Sequence, residues 1–593
     1  MNWSITNPPP QGHKDVGEWA WNLYQDGQDG KERLNLPNTY LENYRIYSGD
    51  HWPTQGSQKN RKNRLVASLA FANVERTVAN LTAKTPVVEV VEVDGEENAD
   101  VAKALTSKIK SWWTESEQAS SLTDSTKGME IYGPTTEKYV WNTIEKRAET
   151  VVLDPFAFGM CPGNWPDPND APYCYHLLPM RPDEIALAYG VNEDDIETDD
   201  IYSVLCEERE ERISSNTLLG ASNVSGISLR GGKYDSQYRN KRALVVEMWV
   251  RDYTQETTTD EAGETTTTLK YPGGIRVITV TNGGKLVLSD EGNPNINPEL
   301  PLEATSQTWL YDRFPFGMAT SYKDMVSPWG FSAIVQTGDI CLKIGELLSR
   351  MYSAVCRALL PTLILPKDCG VSLRDVNNKP GLVIEPATSA MSQGIRYLEP
   401  PRLSQDMWRL LDFLIKLHDR TWQIEDADRG EAPRGVIAAS AIAELQERNA
   451  VLMRHKIRSV DYLVRNRGRA FISFYQNFGV VPDVVEVDDT SHEIIGVNTI
   501  GKNFTFVVES GSTMHKTSLQ TQEQAVELRK LGVIDNQATL EALGFPNWKR
   551  IVERVGESQL DQALQILVQA GLPQQNAVML RDYLAQAQGG PGM

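Results

Sequence analysis

From Phe331 to Leu360 the chain runs without a proline, and apolar side chains recur at 341, 344, 348, 351, 352, 355 and 359. Steps of three and four residues are the period of one helix face. At 1.5 Å per residue such a helix is ~45 Å long, and few folds have room for a rod of that length. Gly338 and Gly345 share one side of it: either they let another helix approach closely, or they are simply tolerated. Pro361 and Pro366 end the helix, since proline lacks the amide donor. Residues 362–402 read as short strands and turns, punctuated by Asn378-Lys379-Pro380-Gly381 and Glu399-Pro400-Pro401. A second helix is expected from about Ser404 to Gln423. Its apolar positions 407, 408, 410, 411, 413, 414, 415, 417 and 422 nearly circle the cylinder, so enclosure on several sides is expected. Arg409, Lys416 and Arg420 share its one polar stripe. Glu425 to Gly435 is polar, carries glycine and proline and has no apolar face, as an exposed loop does. A third helix, Val436 to Phe478, is long against a mean of ~11–12 residues, and a kink is expected near Gly468.

On either side of this centre the pattern is mixed. Residues 15–48 read as helical pieces rich in aromatics, followed by a turn at Gly49-Asp50-His51-Trp52-Pro53. The cluster Lys59-Asn60-Arg61-Lys62-Asn63-Arg64 could touch phosphate, but a solvated loop is the ordinary reading of such a run. Leu65–Thr82 is expected as a helix stopped before Pro86, Val87–Val93 as a strand, and residues 99–130 as helix again. Glu137–Asn142 and Glu149–Leu153 read as paired strands, and 155–310 as a β-rich region with a good strand at Ala243–Tyr253. The threonine-rich stretch 257–268 reads as a hairpin, and 214–240 as a Ser/Gly/Asn-rich loop. A strand pair is expected around 483–509. Helices then follow, with Ser518, Asn536 and Ser558 as N-caps and Gly532, Gly544, Gly556 and Gly571 as C-caps.

Candidate chemistry is sparse. No Gly-Lys is followed by Ser or Thr, which argues against a packaging ATPase. His492-Glu493 lacks the second histidine of a zinc-protease motif, and there is no G-x-S-x-G elbow. Cys161, Cys174 and His176 offer three of the four ligands that zinc needs, at a wide first spacing, within a turn-rich segment. No catalytic residue, cofactor or metal site is expected. The six cysteines form no C-x-x-C pair, as in a reduced, cytoplasmic chain. Residues 1–12 hold Pro8-Pro9-Pro10 and no apolar leader, and no run of 18 apolar residues exists, so the product is expected to stay in the cell that makes it or to leave by lysis. With 79 acidic against 59 basic side chains the net charge is −20. That balance suits a surface along which DNA slides without sticking, and equally suits plain solubility.

Several stretches occur in an order that resembles the portal proteins, or head-to-tail connectors, of tailed bacteriophages. They are Tyr44-Arg45-Ile46-Tyr47-Ser48-Gly49-Asp50-His51-Trp52, then Asn63-Arg64-Leu65 leading to Lys84-Thr85-Pro86, then Asp154-Pro155 with Asp167-Pro168. Phe314-Pro315-Phe316 before Trp329-Gly330-Phe331-Ser332, and Gly532-Val533-Ile534-Asp535-Asn536 with Leu540, complete the set. The resemblance covers most of the chain and rests on order rather than on one diagnostic motif. It implies an α+β portal fold: a wing over 1–330 with the strands near 483–509, stem helices at 331–360 and 404–424, and a clip at 361–403. It further implies a tunnel loop at 425–435, a long helix and returning wing strands over 436–510, and a helical crown with its tail at 511–593. In the tunnel loop Glu425, Asp426, Asp428, Arg429, Glu431 and Arg434 would face DNA. The resemblance implies a non-enzymatic ring of about twelve copies in the virion. Its partners would be double-stranded DNA, the terminase motor, capsid or scaffolding protein, and neck or tail adaptors, with no membrane. Two other readings stay open: a soluble hydrolase or nuclease with an unrecognised carboxylate site, and another structural ring protein of the virion.

Overall fold

In the computed structural model the described residues are 13–52, 64–92, 99–198, 242–259, 265–359, 363–364, 396–397, 404–422, 453–487, 490–502 and 504–509, with 529, 531 and 539. They form a mixed α+β fold. By contact the chain divides into two units, 1–435 with 446–514, and 436–445 with 515–593. Nearly all described residues belong to the first. The C-terminal helices and their capping glycines lie outside the described residues, as does the 214–240 loop. No helix among the described residues is long and apolar enough to cross a membrane.

The centre of the first unit is one helix, Arg454–Phe478, here called the spine. Its apolar positions Ile457, Val460, Leu463, Val464, Phe471 and Phe474 are all buried, against Ile109, Trp112, Leu122, Tyr139 and Phe506 among others. Helices Ala99–Glu115 and Gln118–Tyr132 supply part of that shell. A three-stranded antiparallel sheet supplies more, in the order Phe316–Thr320, Pro134–Asn142, Arg147–Leu153. A third wall is a two-stranded ladder in which Val88–Glu92 pairs with Phe504–Val508, Val90 opposite Phe506.

That ladder corrects one expectation. The strands near 483–509 do not simply pair with each other: Asp483–Val487 and Thr490–Ile494 form a hairpin, whereas Phe504–Val508 reaches back to a strand near the N-terminus. The expected kink at Gly468 is also absent. The helix runs unbroken through it, and the glycine is there for room, because a Cβ would sit 2.3 Å from Cζ of Phe506. Gly468→Ala is therefore expected to destabilise by about 1–3 kcal/mol through overpacking, despite alanine's better helix propensity. A denaturant midpoint equal to or above the parent's would contradict this.

A second core lies under the five-stranded antiparallel sheet 286–292, 275–281, 243–251, 173–180, 158–160. The helix His13–Arg33 lays Val16, Ala20 and Leu23 into the same apolar cluster as Tyr175, Met248, Ile278 and Val280. The glycine turn expected at Gly283-Gly284 joins two of these strands, with both residues at positive φ. The threonine-rich hairpin is present as Gln255–Thr259 against Thr265–Leu269. One helix starts later than expected: residues 65–68 are not helical, and the helix is Leu69–Leu81. The backbone amide of Leu65 instead donates to Ser349 Oγ at 2.8 Å, tying this segment to the long helix that begins at Ala333.

Candidate functional site

The long proline-free stretch forms the helix Ala333–Leu359, and the second long helix is Gln405–Trp422. Ile344 and Met351 of the first pack with Leu411 of the second, flanked by Ile340, Leu347, Leu348, Met407, Leu414 and Ile415. Ala333, Ile334 and Cys341, near the start of the first helix, share a cluster with Trp422 at the end of the second. The two helices thus run in opposite directions. Between them the chain passes through a two-residue ladder, Leu363–Ile364 against Arg396–Tyr397. At Gly338 the helix Leu36–Tyr47 does come close, since a Cβ there would meet Ile46 Cδ1 at 2.6 Å. Gly345 faces the Leu65 carbonyl instead of a helix, at 3.3 Å from a notional Cβ.

The second helix departs from what its composition suggested. Among the described residues it is covered on one face only: Leu411, His418 and Trp422 are buried, whereas Trp408 is 56%, Leu410 49%, Phe413 58% and Leu417 38% exposed. Leu410, Phe413 and Leu417 stand three and four residues apart and form one row beside the buried face. Trp408 lies on the opposite flank. On the first helix Tyr352, Val355 and Leu359 make a similar exposed row. An apolar surface of this kind, flanking a covered stripe on both sides, marks a place where something else packs.

Between the two flanks runs the polar stripe. Arg409 Nη1 lies 3.7 Å from Asp406, Lys416 Nζ lies 2.7 Å from Asp412, and Arg420 is exposed. These are solvated pairs one helical turn apart, each worth about 0.3–0.5 kcal/mol; they keep that stripe wet. The loop residues Glu425, Asp426, Asp428, Arg429, Glu431 and Arg434 lie outside the described residues. Of the three zinc-type ligands, Cys174 is buried and its thiol points at the Pro168 carbonyl, 3.3 Å away. Cys161 Sγ approaches the Pro162 carbonyl at 3.7 Å, and His176 stands two residues beyond Cys174, opposite Glu247.

Buried ion pairs lie elsewhere in the first unit, on residues that composition does not single out. Arg467 and Glu137 are both fully buried and paired at 2.5 Å, with Gln118 and Ser125 taking up the remaining guanidinium donors. Lys456 donates to Glu130 at 2.6 Å, and Ser321 Oγ donates to the same carboxylate. Arg276 grips Asp290 at 2.7 and 2.8 Å and reaches Asp252 at 3.2 Å. A signal was present. Residues 456, 460, 463, 467, 471 and 474 follow helical spacing, so Lys456 and Arg467 sit on an apolar face, where an unpaired charge is prohibitive.

One such group makes the unit sensitive to acid. His176 is 8% exposed. Burial first, and then the Lys138 ammonium, push its imidazole down to about 4. The folded state therefore holds this histidine neutral, while the unfolded chain takes up a proton near pH 6.5. Its contribution is complete above ~6.5 and is lost as pH falls toward 4, by up to about 3 kcal/mol. Glu247 acts the same way lower down: burial would raise its pKa, but Lys138, 2.7 Å away, outweighs burial and lowers it. His176→Gln should flatten the pH dependence of the unfolding free energy between 6.5 and 4. An unchanged slope would rule His176 out as its source.

No protein-family model and no curated protein matches the chain.

Proposed function

We propose that this chain is the portal subunit of a tailed bacteriophage, a non-enzymatic ring component with the portal fold. The reading rests on the pair of opposed long helices whose flanks are left apolar: Leu410, Phe413 and Leu417 on one side of the second helix, Trp408 on the other. A closed ring uses heterologous contacts, one face of each copy against a different face of the next. A stem helix in such a ring needs two unlike apolar flanks, and this one has them, with the charged stripe of Arg409, Lys416 and Arg420 between. The ordered stretches that resemble the portal family support the same reading. In it the ring of about twelve copies sits at the head vertex of the virion, passes double-stranded DNA, and docks the terminase motor, capsid or scaffolding protein, and neck or tail adaptors.

Electron microscopy of the purified protein tests the proposal: particles of one rotational symmetry with a central channel are expected, without nuclease or ATPase activity. A monomer at every concentration, or hydrolysis that copurifies with the chain, would overturn it. Deleting Asp426–Arg434 should leave rings intact yet impair DNA packaging or retention, read as the fraction of nuclease-protected genome. Loss of ring assembly on this deletion would contradict the tunnel-loop role.

A further inference from the structure

Two stripes of the long-helix pair are covered by the chain's own N-terminal part and then run out at the same level. On Ala333–Leu359, residues Gly338, Gly345 and Tyr352 are seven apart and share one stripe. Ile46 of the helix Leu36–Tyr47 covers Gly338, and the Leu65 carbonyl covers Gly345. Tyr352, the next member, is 43% exposed. On Gln405–Trp422, residues Trp422, Ile415 and Trp408 are again seven apart. Trp422 is buried and donates Nε1 to Thr77 Oγ1 of the helix Leu69–Leu81 at 3.4 Å. Ile415 packs in one cluster with Ala67 and Leu69. Trp408, the last member, is more than half exposed. The segment 65–69 thus lies against both stripes, which places them on one side of the pair. Met351, beside Tyr352, packs with Leu411, one turn from Trp408, so both stripes end at one level.

At that end the covering segment itself shows apolar side chains to solvent, Leu65 and Val66. Its backbone is pinned. The Leu65 amide donates to Ser349 Oγ at 2.8 Å, and Trp52 Nε1 donates to the Leu65 carbonyl at 3.4 Å. Leu65, Val66, Tyr352 and Trp408 therefore form an apolar step on a fixed frame. What fills it is indicated by the other side of the same helix. At about 100° per residue, Leu410, Phe413 and Leu417 turn away from Leu411 in the sense opposite to Trp408. They bracket the same level. A rigid body with two unlike apolar faces on opposite sides buries both only by packing head to tail with copies of itself. A two-fold dimer through either face would leave the other in water, and so would a foreign partner on the step. No side chain of the step or of the row is charged, so no stranded ion opposes their contact.

We propose that the step of Leu65, Val66, Tyr352 and Trp408 on one copy seats the row Leu410, Phe413 and Leu417 of the next copy. The inference rests on the ring reading and adds which two faces meet, with residues 65–66 as part of the contact. Two full-length variants test it, one with the step blocked (Val66→Asp with Tyr352→Asp) and one with the row blocked (Leu410→Asp with Phe413→Asp). All four positions are exposed, and circular dichroism checks that both variants stay folded. Mass photometry should find each variant monomeric alone. An equimolar mixture should give dimers and nothing larger, because one variant keeps only an intact row and the other only an intact step. Dimers of either variant alone would show two-fold contacts and overturn the pairing. So would a mixture that stays monomeric at the highest concentration reached. Parent rings that survive in the step variant would overturn this pairing and leave the portal reading standing, whereas a monomeric parent would remove both.

Discussion

Arg467→Met should cost the first unit about 3–5 kcal/mol, a large part of the 5–15 kcal/mol that typically separates folded from unfolded chains. The cost arises on the other side of the pair. Glu137 is fully buried, and it accepts from Arg467 Nε at 3.0 Å and Nη2 at 2.5 Å, from Ser125 Oγ at 2.5 Å and from Tyr139 Oη at 3.4 Å. Without the guanidinium the carboxylate keeps two hydroxyls but no counter-charge. Gln118 also loses the two bonds that Arg467 Nη1 makes to its carbonyl, at 2.8 Å, and its side chain, at 3.1 Å. Lysine is a poor substitute, because a single ammonium cannot reproduce the fork that reaches Glu137, Gln118 and Ser125 together. Replacing both partners, Arg467→Met with Glu137→Leu, should recover most of the loss, since two apolar groups leave no stranded charge. Urea denaturation of the single and double variants measures this. A single variant within 1 kcal/mol of the parent would show that the pair does not hold the spine in place.

Trp408→Asp together with Phe413→Asp should abolish ring assembly while leaving the monomer folded. Both side chains are more than half exposed in the isolated chain, so the fold loses little. In a ring each would be covered by a neighbour, gaining up to about 1.5–3 kcal/mol per side chain on burial. An aspartate at either place replaces that gain with a desolvated charge. Because the two residues lie on opposite flanks, each contact around the ring would lose one of them from either side. Sedimentation velocity should show the parent's large species replaced by a monomer of unchanged circular dichroism. Rings of normal size from the double variant would remove the support on which the portal reading stands.

The long helices were legible because a three-and-four apolar period survives any environment: Ala333–Leu359 and Gln405–Trp422 fall within a few residues of the expected spans. The hairpin Pro134–Asn142 with Arg147–Leu153 was legible for a similar reason, since its partners are neighbours in sequence. What stayed hidden depends on distant contacts. Nothing local in Phe504–Val508 says that its partner is Val88–Glu92, and nothing local at Gly468 names the Phe506 ring that needs the space. Leu65–Ala67 carries helix-compatible residues, but the Leu65 amide is committed to Ser349, far along the chain. The flanks of the second long helix were legible as apolar, yet composition cannot distinguish a face covered by the same chain from one left bare. The sequence places five arginines among 454–469, but which basic side chains of the spine face a carboxylate is decided by Glu130 and Glu137, over 300 residues earlier.

The pairing of Arg467 with Glu137 spans 330 residues, and that of Lys456 with Glu130 spans 326. On the ribosome, at about 5–20 residues per second, roughly 20–70 s separate the emergence of each carboxylate from that of its cation. For that interval the N-terminal strands and helices exist without the spine they wrap around, their apolar inner faces open and their acids unmatched. The birth of this protein therefore has an order: the strands and helices that carry Glu130 and Glu137 wait, half-assembled, for a helix translated more than three hundred residues later.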